Sequence, residues 1–266
     1  PKFTLNSSLV AENFYLNGEY EKTKKVLKKF DTEYEFYYWF RVKKEAQIIV
    51  KKQGYEEGVE FISSKFNKII NPNVRMLFDV ANFYKNSKKY EKAIKYYTEI
   101  ISSLNVDSRI KSDLLYRRGG SYERLGNYQK ADEDLKNSLK INPDDAYVLN
   151  YLAYSWLERD YKIDEAMRML EKAYALRSND PYITDSIGWA YYLIENYTEA
   201  EKYIKKAVEL MPDDPTVNDH YGDILWKLNR NIQARYFWNY VLKLDDTDDD
   251  IRKQINIKII EGLNNS

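Results

Sequence analysis

The stretch that decides the fold is DSIGWAYYLIENYTEAEKYIKKAVELMPDDP, residues 185–215. Its first eight residues place an acid, a serine, a glycine and three aromatic side chains within about two helical turns. Related stretches occur on both sides of it, LLYRRGGSYERLGNY at residues 114–128 and NDHYGDILWKLN at residues 218–229. The stretch is therefore one copy of an internal repeat, which predicts an array of similar units rather than a single reactive loop.

The period of this repeat is given by a small residue that recurs with nearly constant spacing. The small residues are Thr23, Gly58, Ala93, Ala131, Ala166, Ala200 and Ala234. Their successive spacings are 35, 35, 38, 35, 34 and 34 residues. With this period the chain resembles the tetratricopeptide repeat family, whose unit is a pair of helices joined by a turn.

The resemblance implies an all-α, right-handed superhelical α-solenoid of about seven helix-turn-helix repeats with a C-terminal capping helix. Residues 1–111 hold loose repeats, at about 4–37, 39–72 and 74–107, and residues 112–248 hold the regular ones, at 112–145, 146–180, 181–214 and 215–248. Residues 249–266 are predicted to be the capping helix and tail, because isoleucine or leucine recurs there at steps of four. Extra residues at 105–111 lengthen the joint between the third and fourth repeats, where a hinge is one interpretation.

Small residues are needed where the two helices of a repeat approach closely. The eighth position of the regular repeats holds Gly119, Ala153, Gly188 and Gly222, and the twentieth holds the alanines above. Asp180 and Asp214 are expected to cap the following helices, with proline in the first turn. One repeat buries too little apolar surface to offset its conformational entropy, so neighbouring repeats must stack.

Composition narrows the classes of function. The 266 residues contain no cysteine and one histidine, which excludes thiol chemistry and disfavours a transition-metal site; no cofactor is expected. The charges balance, at 42 Lys and Arg against 42 Asp and Glu, and no strong basic stripe predicts nucleic-acid binding. No apolar run is long enough to cross a bilayer, so direct membrane insertion of this segment is not expected.

Three clusters invite a functional interpretation. Ser186 and His220 occupy the same position of successive repeats, so a hydrolase is a remote alternative, although neither a nucleophile elbow nor a glycine-rich loop accompanies them. The acidic run 245–250 lacks the glycine and glutamate of a calcium-binding loop and is better explained as a helix cap. The lysines of residues 22–30 fit the solvated face of an amphipathic helix.

The candidate site is the concave surface, which in the family is lined by positions 2, 5, 9, 12 and 13 of each repeat. The residues at these positions proposed to contact a ligand are Tyr116, Arg124, Tyr147, Asn150, Tyr154, Tyr182, Asp185, Trp189, Tyr192, Asp219 and Trp226. Aromatic side chains that carry a polar group are enriched in protein-recognition surfaces. A binding surface would therefore explain why the chain contains 26 tyrosines. The sequence therefore predicts a non-enzymatic scaffold that binds a polypeptide segment.

The chemistry of the partner follows from the charges at these positions. A subclass of the family captures a terminal carboxylate with cations on successive first helices, whereas this chain has Asp185 and Asp219 at such positions. An apolar or basic extended segment is therefore the favoured ligand. Self-association through exposed ends or through the lysine-rich first repeat, giving a homo-oligomer, is the alternative.

A narrower resemblance concerns about the last hundred residues. The stretch from residue 185 to Trp238, followed by a short helix ending in IIEGL, is similar to the C-terminal part of proteobacterial tetratricopeptide lipoproteins, which are thought to act as envelope adaptors. This resemblance implies a location in the bacterial periplasm, at the outer membrane, through an upstream segment that precedes Pro1. A cytoplasmic location is the alternative.

Overall fold

The computed structural model describes residues 4–30, 33–103, 106–245 and 247–263. In that part of the chain fifteen α-helices follow one another and no strand occurs, as the all-α prediction requires. The helices are α1 (Thr4–Leu16), α2 (Tyr20–Leu27), α3 (Glu35–Gln53), α4 (Tyr55–Phe66), α5 (Val74–Asn86), α6 (Tyr90–Ile101), α7 (Ser108–Arg124), α8 (Tyr128–Ile141), α9 (Ala146–Leu157), α10 (Ile163–Leu176), α11 (Pro181–Leu193), α12 (Tyr197–Leu210), α13 (Pro215–Lys227), α14 (Asn231–Val241) and α15 (Asp249–Glu261). Successive helices pack in pairs, such as α5 with α6 and α11 with α12, and each pair is one repeat.

The helices form two compact bodies, an N-terminal body of residues 1–138 and a C-terminal body of residues 139–266. The boundary between the two bodies falls inside α8. In the sequence, by contrast, the change from loose to regular repeats occurs near residue 111. Of residues 105–111, the part from Ser108 onward belongs to α7, and Asp107 accepts a hydrogen bond from the Arg109 amide (2.8 Å) at the start of that helix. Residues 108–111 are thus helical, while 104 and 105 lie outside the described residues.

The small repeat positions lie where the paired helices touch, as predicted. A Cβ atom on Gly222 would lie 2.3 Å from the Trp238 Nε1, and one on Gly188 would lie 2.6 Å from the Ile204 Cγ1. Ala200 and Ala234 are completely buried. The close approach of the two helices in a repeat therefore depends on the absence or small size of these side chains.

The predicted caps are also present. Asp180 accepts a hydrogen bond from the amide of Ile183 (3.1 Å), and Asp214 accepts one from Val217 (3.0 Å). In the acidic run, Asp248 accepts from the amide of Ile251 (2.8 Å) and so begins α15; Asp246 lies outside the described residues. No group of three potential metal ligands occurs in the described part of the chain.

Each body has its own core. Trp39, Ile62 and Tyr97 are among the buried residues of the N-terminal body. The core of the C-terminal body includes Trp238 and is closed by α15, whose Ile255 is completely buried. The other three apolar residues of the predicted capping stripe, Ile251, Ile259 and Leu263, pack against the same cluster.

Candidate functional site

The predicted groove residues divide between the two bodies. Tyr116 and Arg124 lie on α7 of the N-terminal body, where Tyr116 is half-buried and Arg124 is exposed. The other nine lie on α9, α11 and α13, the first helices of the three repeats in the C-terminal body. The C-terminal set is therefore the larger candidate surface.

On α9, one predicted residue lacks a partner for a buried polar atom. The Oδ1 of Asn150 is buried without a hydrogen bond in the described part of the chain. Tyr147, 43% exposed, donates its hydroxyl to Asp180 (3.0 Å), and Tyr154 is half-buried. Because buried acceptors in native proteins are nearly always paired, the Asn150 carbonyl is the atom of this surface most in need of a donor.

The aromatic residues of α11 form a stack with the next repeat. The Trp189 ring lies 4.4 Å from Tyr192 and 4.0 Å from His220, centroid to centroid, with nearly parallel planes. The Trp189 Nε1 donates to Glu158 on the preceding repeat (3.0 Å). Trp189 thus contacts both neighbouring repeats, whereas Tyr182 is 63% exposed.

The sequence analysis considered His220 only as a partner of Ser186 in a hydrolase and assigned it no structural role. Its Nδ1 lies 2.9 Å from the Oδ1 of Asp185, so the carboxylate of Asp185 is already engaged within the chain. Burial favours neutral His220, but Asp185, with weaker help from Asp219 and Asp223, outweighs it and raises the His220 pKa. The side-chain pair is a nearly buried hydrogen-bonded contact between successive repeats, and it becomes an ion pair when His220 is protonated.

The same geometry argues against Ser186 as a nucleophile. Asp185 and Ser186 are consecutive on α11, and consecutive side chains of a helix point about 100° apart. Because Asp185 faces His220, Ser186 points elsewhere, and it is buried. A nucleophile needs both contact with its base and access to a substrate.

The raised pKa of His220 predicts a pH dependence of stability. A group whose pKa is higher in the folded state stabilises the fold below its unfolded pKa of about 6.5, and that contribution disappears as pH rises through the folded value. His220→Gln keeps a donor for Asp185 but cannot titrate. We expect it to be less stable than the wild type near pH 6 and this difference to shrink near pH 9, as measured by urea unfolding. A difference that is constant with pH would contradict the assignment.

The C-terminal helix α15 occupies the last part of the predicted surface. The Lys258 Nζ lies 2.6 Å from the Oδ1 of Asp219 and 2.9 Å from both carboxylate oxygens of Asp223. Burial and the neighbouring Asp219 raise the pKa of Asp223 to about 6, while Lys258 opposes this. Asp219 is thus paired within the chain, although Lys258 is shared between two carboxylates.

Trp226 is likewise engaged by residues of its own body. Its ring centroid lies 5.4 Å from that of Trp238, and the guanidinium of Arg235 lies 4.7 Å from it. Gly262 packs so closely that a Cβ there would lie 2.0 Å from the Trp226 Cζ2. The predicted residues most open to a ligand are therefore those of α9 and α11.

Sequence reasoning missed Lys258 as a part of this cluster, whereas Asp223 stands at the ninth position of its repeat, one of the positions expected to line the groove. A signal was present for Lys258, because it stands three residues after Ile255 and next to Ile259, at the edge of the apolar stripe of α15. A cation at such a position is expected to reach a carboxylate of the surface that the helix covers.

Comparison with known proteins gives consistent matches. A family model described as tetratricopeptide repeat matches residues 71–246. A TPR repeat-containing protein of Pseudomonas aeruginosa is 26% identical over 159 residues, 60% of this chain and 26% of the relative. One of Methanocaldococcus jannaschii is 39% identical over 85 residues, 32% of this chain and 14% of the relative. The chain thus spans at most about a quarter of the length of these two relatives.

Solved structures with the same fold include two bacterial proteins. A tetratricopeptide repeat protein of Parabacteroides merdae aligns with a TM-score of 0.62 and 18% identity, over 83% of this chain and 86% of that one. A thermophilic TPR protein of Thermus thermophilus aligns with a TM-score of 0.61 and 17% identity, over 71% of this chain and all of that one. In the described residues no helix is long and apolar enough to span a bilayer.

Proposed function

We propose, from the premise that this chain belongs to the tetratricopeptide repeat family, that its C-terminal body binds an extended polypeptide segment along α9 and α11. Membership of the family supports a protein-interaction scaffold in general. The proposal adds the surface, the ligand conformation and the ligand chemistry.

The half-buried side chain of Asn150 carries this proposal. Its Oδ1 has no hydrogen-bond partner in the described residues, and rotation of the amide would present it to the backbone N–H donors of an extended peptide. The exposed ring of Tyr182 supplies amphipathic contact area on the next first helix, α11. An unpaired acceptor between aromatic side chains fits a peptide better than a compact ligand.

The charges of the surface favour a basic or apolar segment. Glu158 is exposed, and its carboxylate already accepts the indole N–H of Trp189. Asp185 and Asp219 add negative potential, only partly balanced by His220 and Lys258. Residues 139–266 carry 16 Lys and Arg against 23 Asp and Glu, so the whole C-terminal body attracts cationic segments.

We also propose that the scaffold is non-enzymatic and acts in the bacterial envelope. The proposal that the scaffold is non-enzymatic rests on the orientation of Ser186 away from the contact between His220 and Asp185. The envelope location rests on the resemblance of the C-terminal repeats to lipoprotein adaptors. Self-association is the competing proposal.

Peptide selection with the whole chain tests the groove proposal. Random peptides of about ten residues, displayed on phage, are selected on the wild type, and the enriched sequences are synthesised with both ends blocked. We expect extended basic or apolar sequences, and at least about tenfold weaker binding to Asn150→Ala/Tyr182→Ala, measured by fluorescence polarisation.

Tyr236→Ala is the matched control, because Tyr236 is 67% exposed but lies on α14, a second helix. Its affinity is expected to equal that of the wild type. Equal binding by the double variant, with an unchanged circular dichroism spectrum, would overturn the groove proposal. Sedimentation of the wild type as a dimer without peptide would support self-association instead.

A further inference from the structure

A cavity of about 410 Å³ in the N-terminal body contains a lysine without a counter-charge. It is lined by residues of α3, α5 and α7, with Lys85 in the last turn of α5. Lys85 is half-buried, and it forms no ion pair within the described residues. Because the amine borders a cavity rather than closely packed side chains, a small molecule from solvent can reach it.

The surroundings of Lys85 favour the neutral amine. Burial lowers its pKa, and the charge of Arg117 lowers it further, while Asp113 only partly opposes them. The Asp113 carboxylate is engaged by Arg117, whose Nε donates to it (2.8 Å). A lysine becomes a nucleophile when it is desolvated or placed beside another cation, and both conditions hold at this position.

The remaining charged groups of the lining are two lysines and one carboxylate. Asp79 accepts hydrogen bonds from Lys43 (2.6 Å) and from the Trp39 indole (3.0 Å), so both of its oxygens are used. Lys51 is exposed and forms no ion pair within the described part of the chain. The lining therefore carries more positive than negative charge, which disfavours an ammonium at Lys85 and favours an anion there.

Asn82 supplies a hydrogen-bond donor to the same cavity. It lies three residues before Lys85 on α5, so the two side chains share one face of the helix. The Oδ1 of Asn82 accepts from the Tyr97 hydroxyl (2.8 Å) and from the Arg117 Nη1 (3.3 Å). The amide nitrogen of Asn82 therefore remains as a donor for an acceptor that forms at Lys85.

Carbon dioxide is the reactant that suits these groups. An unprotonated ε-amine forms a C–N bond to its carbon, one C=O bonding pair moves to oxygen, and the nitrogen releases a proton to solvent. The product is a carbamate, and no oxidant, reductant or further reactant is required. An aldehyde would leave the site neutral or cationic, whereas a carbamate is an anion, for which Arg117, Lys51 and the Asn82 amide are available in the same cavity.

We propose that Lys85 is a site of carbamate formation, at which dissolved carbon dioxide reversibly converts the side chain from a cation into an anion. The inference goes beyond the groove function, because it concerns the other body and a covalent modification. The reaction reverses the charge of one side chain at the first helices of the N-terminal repeats. A rise in carbon dioxide thus makes this part of the surface less attractive to acidic groups.

Trapping of the carbamate in the whole chain tests this inference. The wild type is equilibrated with isotopically labelled carbon dioxide and bicarbonate and treated with triethyloxonium, which ethylates the carbamate and makes it stable to proteolysis and mass spectrometry. At about pH 8 an ordinary lysine, with a pKa of about 10.4, is less than about 1% neutral. We expect an adduct yield on Lys85 at least about tenfold above that on Lys68, an exposed lysine outside the cavity lining.

Substitution of Arg117 removes the cation that acts on Lys85. Arg117→Gln, with an unchanged circular dichroism spectrum, is expected to reduce the adduct at least about tenfold, because Lys85 holds its proton more tightly and the carbamate loses a counter-charge. Arg109→Gln is the matched control, since Arg109 lies on the same helix but its side chain is 96% exposed. Its yield should equal that of the wild type, as should that of Asn150→Ala/Tyr182→Ala, so the two proposals fail separately.

Carbon NMR with the labelled gas gives a second measurement without trapping. We expect a carbamate signal of the wild type that is absent from Lys85→Met, a variant that should fold normally because it removes an unpaired half-buried charge. Equal adduct yields on Lys85 and Lys68 would overturn the inference. An unchanged yield in Arg117→Gln, or identical carbamate signals in the wild type and Lys85→Met, would overturn it as well.

Discussion

Replacement of Trp238 by alanine is expected to lower the free energy of unfolding of the C-terminal body by about 3–5 kcal/mol. Trp238 is completely buried between the helices of the last repeat, packs against Gly222 and donates its indole N–H to Asp223 (3.0 Å). The substitution leaves a cavity and removes one partner of a buried carboxylate. Urea unfolding followed by circular dichroism measures the loss.

A matched substitution on the same helix isolates this effect. Tyr236 precedes Trp238 by two residues on α14 but is 67% exposed, so Tyr236→Ala is expected to change stability little. Hydrogen exchange should show faster opening in the C-terminal body of Trp238→Ala, with residues 1–138 much less affected. Equal stability of the two variants would contradict the packing described for Trp238.

Lys258→Met is the substitution with the second largest expected effect. It removes the cation between Asp219 and Asp223 and leaves two carboxylates close together in a nearly buried cluster. Breaking a buried pair by removing one partner costs about 3–5 kcal/mol, and protonation of Asp223 keeps the loss near the lower figure. We therefore expect a loss of about 3 kcal/mol near neutral pH, with α15 the first helix to open in hydrogen exchange.

The pH dependence of this variant follows from the same carboxylates. The pKa of Asp223 is already raised to about 6 by burial and by Asp219, and loss of Lys258 removes a group that lowers it. The carboxyl will then take up a proton at higher pH, so the destabilisation relative to the wild type is expected to shrink as pH falls below about 6. Unfolding in urea at a series of pH values measures this convergence.

Lys253→Met is the control for Lys258→Met. Lys253 lies on the same helix, and in the described part of the chain its one ion pair is with the exposed Asp250. Exposed ion pairs contribute little to stability, so a small, pH-independent effect is expected. Equal losses for Lys253→Met and Lys258→Met would show that the buried cluster does not hold α15 in place.

The repeat architecture could be predicted because its determinants are local or periodic. Gly188 and Ala200 mark the contact between two helices of one repeat, and their equivalents recur along the chain. Asp180 and Pro181 define the start of a helix through local interactions, since the Asp180 carboxylate accepts from the Ile183 amide and Pro181 occupies the first turn. The stripe around Ile255 predicted the capping helix, and the structure confirms it.

The hydrogen-bond and ion-pair partners of the candidate site residues could be predicted less well from the sequence. Asp185 and Asp219 have the same repeat position, yet one pairs with His220 and the other with Lys258. Their partners lie 35 and 39 residues away along the chain, and only the second comes from the non-repeated helix α15. Repeat position indicates which face a side chain occupies, but it does not identify the groups that reach that face from elsewhere.

The sequence by itself determined the helices and their pairing, because these follow from periodicity, side-chain size and capping. Only the tertiary structure decided which polar groups of the helices are satisfied, since that depends on the distance between side chains from different repeats. Among the described residues it leaves the Oδ1 of Asn150 and the Oε1 of Gln47 without hydrogen-bond partners. Burial makes an unpaired polar group costly, which is why Asn150, rather than the more conspicuous stack at Trp189, directs the groove proposal.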